Sequence, residues 1–186
     1  MKWSPTVPAW DDMQGALETS VAGVTQFTMR QLRTTGIVMP HFAQGDIGSK
    51  VFQFSHAKLM NSNLGAFHLH LIPIASANGN IKFDYTWGWW NPNDGDVIPD
   101  TLPNTGSTSD ILFATTDQYK MKLVTIIPSF TKPMATEKPS SILMIKFTRV
   151  APTGTNWGAS NEVAVASLDV HYRLDGFGSH EEIIKY

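Results

Sequence analysis

The sequence predicts an all-β protein, an antiparallel β-sandwich or jelly roll behind an extended N-terminal arm. Three observations carry this. Stretches of alternating apolar and polar side chains recur along the 186 residues, Pro- and Gly-rich segments separate them, and no amphipathic helical pattern stands out. No repeat of roughly 20–50 residues is present, which excludes a solenoid or propeller.

The alternation is strongest across residues 64–90. Phe67, Leu69 and Leu71 share one face of a first segment, with His68, His70 and Ile72 on the other. Ile81, Phe83, Tyr85, Trp87 and Trp89 share one face of a second, against Lys82, Asp84, Thr86 and Gly88. Between them Ala77-Asn78-Gly79-Asn80 supplies residues that tolerate positive φ, so the pair reads as a β-hairpin. Its row of large apolar side chains is too extensive to face water and needs a cover.

The remaining elements follow in chain order. Residues 1–12 carry Pro5 and Pro8 between Trp3 and Trp10, a composition for extended backbone without ladder hydrogen bonds. They form the predicted arm, with the tryptophans as anchors on the protein's own body or on a partner. Residues 13–186 form the single domain. Asp11 to Arg33, with Gly15, Gly23 and scattered Ser and Thr, suits short strands. GIVMPHFA from Gly36 and KVFQFSH from Lys50 read as two more, Pro40 marking a sheet edge or bulge in the first. Residues 91–117 read as one long loop, with Pro92, Pro99 and Pro103 and little periodicity. Loops beyond about 12–15 residues are uncommon unless functional. Gln118 to Pro128 is a strand with Tyr119, Met121 and Leu123 facing one way and Lys120 and Lys122 the other. Ser140 to Val150 is a further strand, and the Ala151–Asn161 stretch with Gly154, Trp157 and Gly158 a loop. Glu162 to Leu174 is the last core strand, alternating Ala164, Ala166, Leu168, Val170 and Tyr172 against Val163, Val165, Ser167, Asp169 and His171. A polar tail, Asp175 to Tyr186, closes the chain.

Composition narrows the functional classes. A chain of this length buries a core without staples. Charged residues are 16% against about a quarter in an average domain, and the net charge is −2. No basic field for nucleic acid exists, and charge this sparse suits a surface partly covered by neighbours. Without cysteine there is no disulfide, thiol nucleophile or thiolate metal site. The start MKWSPTVPAWDD lacks the apolar run of a signal peptide, and no stretch of about eighteen apolar residues occurs, so we expect cytoplasmic synthesis and no membrane partner.

Candidate chemistry is thin. His68 and His70 share a strand face and could present two imidazoles to a metal, with His171 as a third ligand if the last strand lies beside theirs. A ring of histidines at a symmetry axis, or neutral imidazoles hydrogen-bonding between strands, are the other readings, and we expect the hydrogen-bonding one and no metal or cofactor. Asn91 to Asp96 is oxygen-rich but lacks the register of an EF-hand, so it reads as a polar turn. Trp87 and Trp89 belong to the apolar face; Trp90 points the other way and is the candidate surface aromatic. No nucleophile elbow, phosphate-cradling loop or H-E-x-x-H occurs, and Glu181-Glu182 beside His180 sits in the polar tail, so a non-enzymatic role is expected.

Three segments together resemble a known group: WDDMQ at Trp10–Gln14; FHLHLIP at Phe67–Pro73 with FDYTWGWWNPNDGDVIP at Phe83–Pro99; and SLDVHYRLDGFGSHEEIIK at Ser167–Lys185. They are similar to stand-alone tailed-bacteriophage proteins with a WDDL-type start, a P-H-x-H-W strand, an E-Y-x-W-A-N strand and a closing D-x-H-Y-x-x-D-T-x-G-S-R-Q-E. Ala66-Phe67 stands where the group has a Pro, Leu71 replaces its Trp, and Gly176, Phe177 and His180 replace a Thr, a small apolar residue and Arg. The resemblance implies membership of the virion rather than a mechanism, and places His68, His70 and His171 at the group's recurring histidines. With the low charge and the arm, the expectation is a capsid decoration (cement) protein. It would assemble as a homo-oligomer, a trimer, on the major capsid protein or other virion proteins. The alternative is a tail-fibre or head-fibre module that binds a host glycan through Trp90 and the 91–117 loop.

Overall fold

A computed structural model describes residues 9–15, 17–19, 26–53, 66–90, 97–127 and 142–174. In chain order the strands are β1 (Ala9–Gly15), β2 (Glu18–Thr19), β3 (Thr28–Gln31), β4 (Val38–Phe42), β5 (Ile47–Gln53), β6 (Phe67–Pro73) and β7 (Gly79–Trp90). They continue with β8 (Asn104–Ser107), β9 (Ile111–Phe113), β10 (Lys122–Ile127), β11 (Ile142–Val150) and β12 (Val163–Leu174). A short 3-10 turn covers Thr115–Asp117.

Two antiparallel sheets pack face to face as an all-β sandwich. The first has the order β10-β6-β12-β4-β3 with β1 added on β12; the second has β2-β5-β11-β7-β8 with β9 added on β7. Their inner faces supply the core. Phe67, Leu69 and Leu71 of β6, with Val163, Val165, Leu168 and Val170 of β12, meet Ile81 and Phe83 of β7 and Leu143, Ile145 and Phe147 of β11. A run of rings crosses between the sheets: Phe27 on Phe42 at 5.0 Å, Phe42 on Phe147 at 5.5 Å, and Phe147 on Phe83 at 5.8 Å. A Cβ at Gly48 would sit 2.7 Å from the Phe42 ring, so this close approach requires glycine.

The expected β6–β7 hairpin is corrected. β6 belongs to the first sheet and β7 to the second, and the chain crosses between them over 74–78. Each strand has one apolar face, and those faces cover one another across the core rather than meeting edge to edge. Gly79, at φ 150°, makes the turn into β7 where a Cβ would lie 2.5 Å from the Trp157 backbone.

Two further expectations change. The long loop contains β8 and β9, both antiparallel to the edge of β7 that β11 leaves free. Strand β10 turns its faces over: Met121 and Leu123 are 59% and 56% exposed. Lys122 instead sets its Nζ 5.3 Å from the Phe113 ring centre, donates from it to the Leu112 carbonyl and lies 3.3 Å from Asp117. The expected 151–161 loop is present, and within it Trp157 is buried in the core, its ring edge-on to Phe113 and its Nε1–H donating to the Ala77 carbonyl at 3.1 Å.

At the N-terminus, β1 starts at Ala9, inside the stretch expected to be an arm. It pairs with β12 from Ala9 opposite Leu174 to Gly15 opposite Leu168. Residues 1–8 lie outside the described part, as do His56, Asn91–Asp96 and the tail from Asp175.

Candidate functional site

The outer face of the first sheet gathers the histidines. Phe67, Leu69 and Leu71 point into the core, so His68 and His70 of β6 project outward. Strand β12 lies beside β6, the condition on which a third histidine depended.

A bulge then sets which side chains β12 adds. Uniform alternation would place Val163 and Val165 on the same side as Asp169. Instead the ladder runs from Val165 opposite Leu71 to Ser167 opposite His70, with one extra residue on β12. The slip puts all four of Val163, Val165, Leu168 and Val170 inside. It also brings Asp169 opposite His68 on the outer face, with His171 one pleat further on.

The three imidazoles converge on the Asp169 carboxylate. His171 Nε2 stands 3.0 Å from Asp169 Oδ2, His68 Nδ1 3.8 Å from the same oxygen, and His70 Nε2 2.9 Å from Oδ1. The rings of His68 and His171 meet edge to face at 4.3 Å. Asp169 is 2% exposed while the three imidazoles are partly open to solvent. The approach of His70 lacks hydrogen-bond geometry, so Oδ1 has no hydrogen-bond donor despite the short distance. Among the described residues, His68, Asp169 and His171 are the one group of three whose donor atoms, all within 4.8 Å of one another, could hold a metal ion. Sequence reasoning found the three histidines but not Asp169. The signal was the D-x-H spacing, legible only once the register opposite His68 was known.

Further along the same face, Glu162 accepts from His41 Nδ1 at 3.3 Å and pairs with Arg30 at 3.0 Å. This is a structural tie between β3, β4 and the start of β12.

On the outer face of the second sheet, Asp84, Tyr85, Thr86, Ser107, Lys146 and Thr148 border an open groove of about 420 Å³. Ser107 Oγ donates to Asp84 Oδ1 at 2.5 Å across its floor. Trp90 projects to the side opposite Trp87 and Trp89, as expected from alternation, but is half-buried beside Ile142 in the ladder rather than a free platform. No protein-family model matches the chain, and no curated protein matches it.

Proposed function

We propose that this chain is a non-enzymatic virion protein of a tailed phage, a capsid decoration protein that assembles as a homo-oligomer, a trimer, on the capsid surface. The observation that carries this is the filled interior of the sandwich. Phenylalanine, leucine, isoleucine and valine close the space between the sheets, so whatever the protein meets it meets on its outside. The strand order supports the same role. From β4 onward successive strands change sheets except over β7 to β9, giving β4-β12-β6-β10 facing β5-β11-β7-β8, with β9 added on β7. We read this order as compatible with jelly-roll winding, an architecture common in viral capsid and lectin domains. Met121, Leu123 and Leu112 leave large apolar side chains in water at one edge of the sandwich, a surface suited to a protein neighbour. The motif resemblance supplies the virion context.

Quantitative mass spectrometry of purified particles tests it. A fixed lattice ratio to the major capsid protein is expected. Absence from the particle would overturn the proposal. A few copies per particle would favour the second reading, a fibre module binding a host glycan, which the hydroxyl-rich groove of Asp84, Thr86, Ser107 and Lys146 favours.

A further inference from the structure

We propose that His68, Asp169 and His171 hold a zinc ion on the outer face of the first sheet, with His70 steadying the second carboxylate oxygen. The inference stands apart from the decoration role, since it uses none of the exposed apolar edge.

The buried carboxylate is the strongest sign. Taking a carboxylate out of water is costly unless a cation or several donors compensate it. Asp169 has lost nearly all its solvent, its Oδ1 has no hydrogen-bond donor, and its ion-pair partners among the described residues are imidazoles, with no Lys or Arg. A divalent cation between the three side chains would supply the compensating charge.

The donor set matches zinc by chemistry and by spacing. Imidazole nitrogens with one carboxylate suit a borderline ion, whereas calcium and magnesium select oxygen alone. Zinc bonds of about 2.0–2.2 Å place tetrahedral ligands roughly 3.3–3.6 Å apart. The observed separations of 3.0 and 3.8 Å from Asp169 Oδ2 bracket that distance, so small rotations of two partly exposed rings would close the site. With three protein ligands the fourth position falls to water. His70 Nε2 lies 2.9 Å from Oδ1, close enough for a ring rotation to make it the outer partner of a ligating carboxylate. The ion would cross-link β6 and β12, adjacent interior strands of the sheet.

The test uses the full chain without a histidine tag, stripped with chelator and titrated with zinc alone by calorimetry, the bound metal counted by elemental analysis. One zinc per chain is expected, with a rise in melting temperature on loading. His171→Gln and His68→Gln should each weaken binding by at least tenfold, and His70→Gln by about tenfold through the outer partner. Asp169→Asn alters a buried group and could disturb folding. The decisive variants are therefore the two histidine ligands, whose stripped forms should melt within a few degrees of the stripped parent. Failure to bind zinc at micromolar concentration would overturn the proposal. So would binding that survives in the His68→Gln, His171→Gln double variant, which would place the ion elsewhere.

Discussion

Arg149 is the residue whose position is hardest to reconcile with its chemistry, because a guanidinium faces inward at the end of β11 and is 1% exposed. Backbone oxygens receive it. Nη1 donates to the Phe42 carbonyl at 2.9 Å and to that of Asn161, Nη2 donates to the Gly158 carbonyl at 3.0 Å, and the guanidinium carbon lies 5.5 Å from the Trp157 ring centre. Burial pulls its pKa down to about 10, with nearby Asp46 acting against the shift, so it stays charged at neutral pH. One side chain thus holds the end of β4 and the 151–162 loop against the sandwich. Arg149→Met keeps the apolar stem but leaves those carbonyls without their donor. We expect it to cost about 3 kcal/mol, as two or three charged-donor hydrogen bonds would, read from the midpoint of urea unfolding. Arg149→Lys should recover only part, because a point charge cannot span three acceptors. A loss below about 1 kcal/mol in the Met variant would mean that water replaces the guanidinium.

Among the elements, the 97–117 segment is fixed by carboxylates as well as by the burial of Ile111 and Phe113. Asp110 accepts the Thr153 and Gly154 N–H groups at 3.0 and 2.6 Å, and Asp117 accepts the Ala114 N–H at 2.9 Å and pairs with Lys122. These backbone N–H groups, ahead of the smaller lysine contributions, hold both carboxyls below their ordinary value of 3.8. A depressed folded pKa gives stability that is complete above the unfolded value and lost as pH falls through the folded one. The melting temperature of Asp110→Asn should therefore lie below that of the parent at pH 7, and the gap should narrow as both are taken below pH 4. A gap constant with pH would show that the charge is not what the two N–H groups recognise. The strands themselves were legible because a period of two marks the apolar side of β6 and β7. Their pairing was not, because alternation says which side is apolar and nothing about whether that side meets an edge or another face. The bulge in β12 is equally silent in sequence: Ala166 looks like a regular strand residue, yet it turns Val165 and Leu168 to the same side. The His68–His70 pair could be read directly from spacing, while Asp169 joined it only through that bulge and the antiparallel register. Trp157 was missed because its neighbours are turn residues, and its burial depends on the distant Phe113 and Ala77.

At the scale of the whole molecule, the question is how the N-terminus divides between the protein's own fold and its proposed assembly. Strand β1 covers the edge of β12 from Leu168 to Leu174, and four of its seven pairs, those of Ala9, Trp10, Asp11 and Asp12, fall within the stretch that composition marked as an arm. A Pro-flanked segment can still join a ladder beyond its last proline, and Pro8 immediately precedes the first paired residue. Two truncations separate the roles. Removing residues 1–8 leaves every β1 pair in place and should leave the melting temperature unchanged, while binding to particles lacking the protein falls if this segment reaches a neighbouring subunit. Removing residues 1–12 opens the edge of β12 and should lower the melting temperature and promote aggregation, since an unpaired strand edge recruits other chains. Light scattering on the full chain should give about three times 20.6 kDa, the trimer the proposed assembly requires. If the full chain is monomeric and the shorter truncation still binds particles at full occupancy, the arm is no assembly element. Attachment would then have to run through the exposed Met121, Leu123 and Leu112 edge.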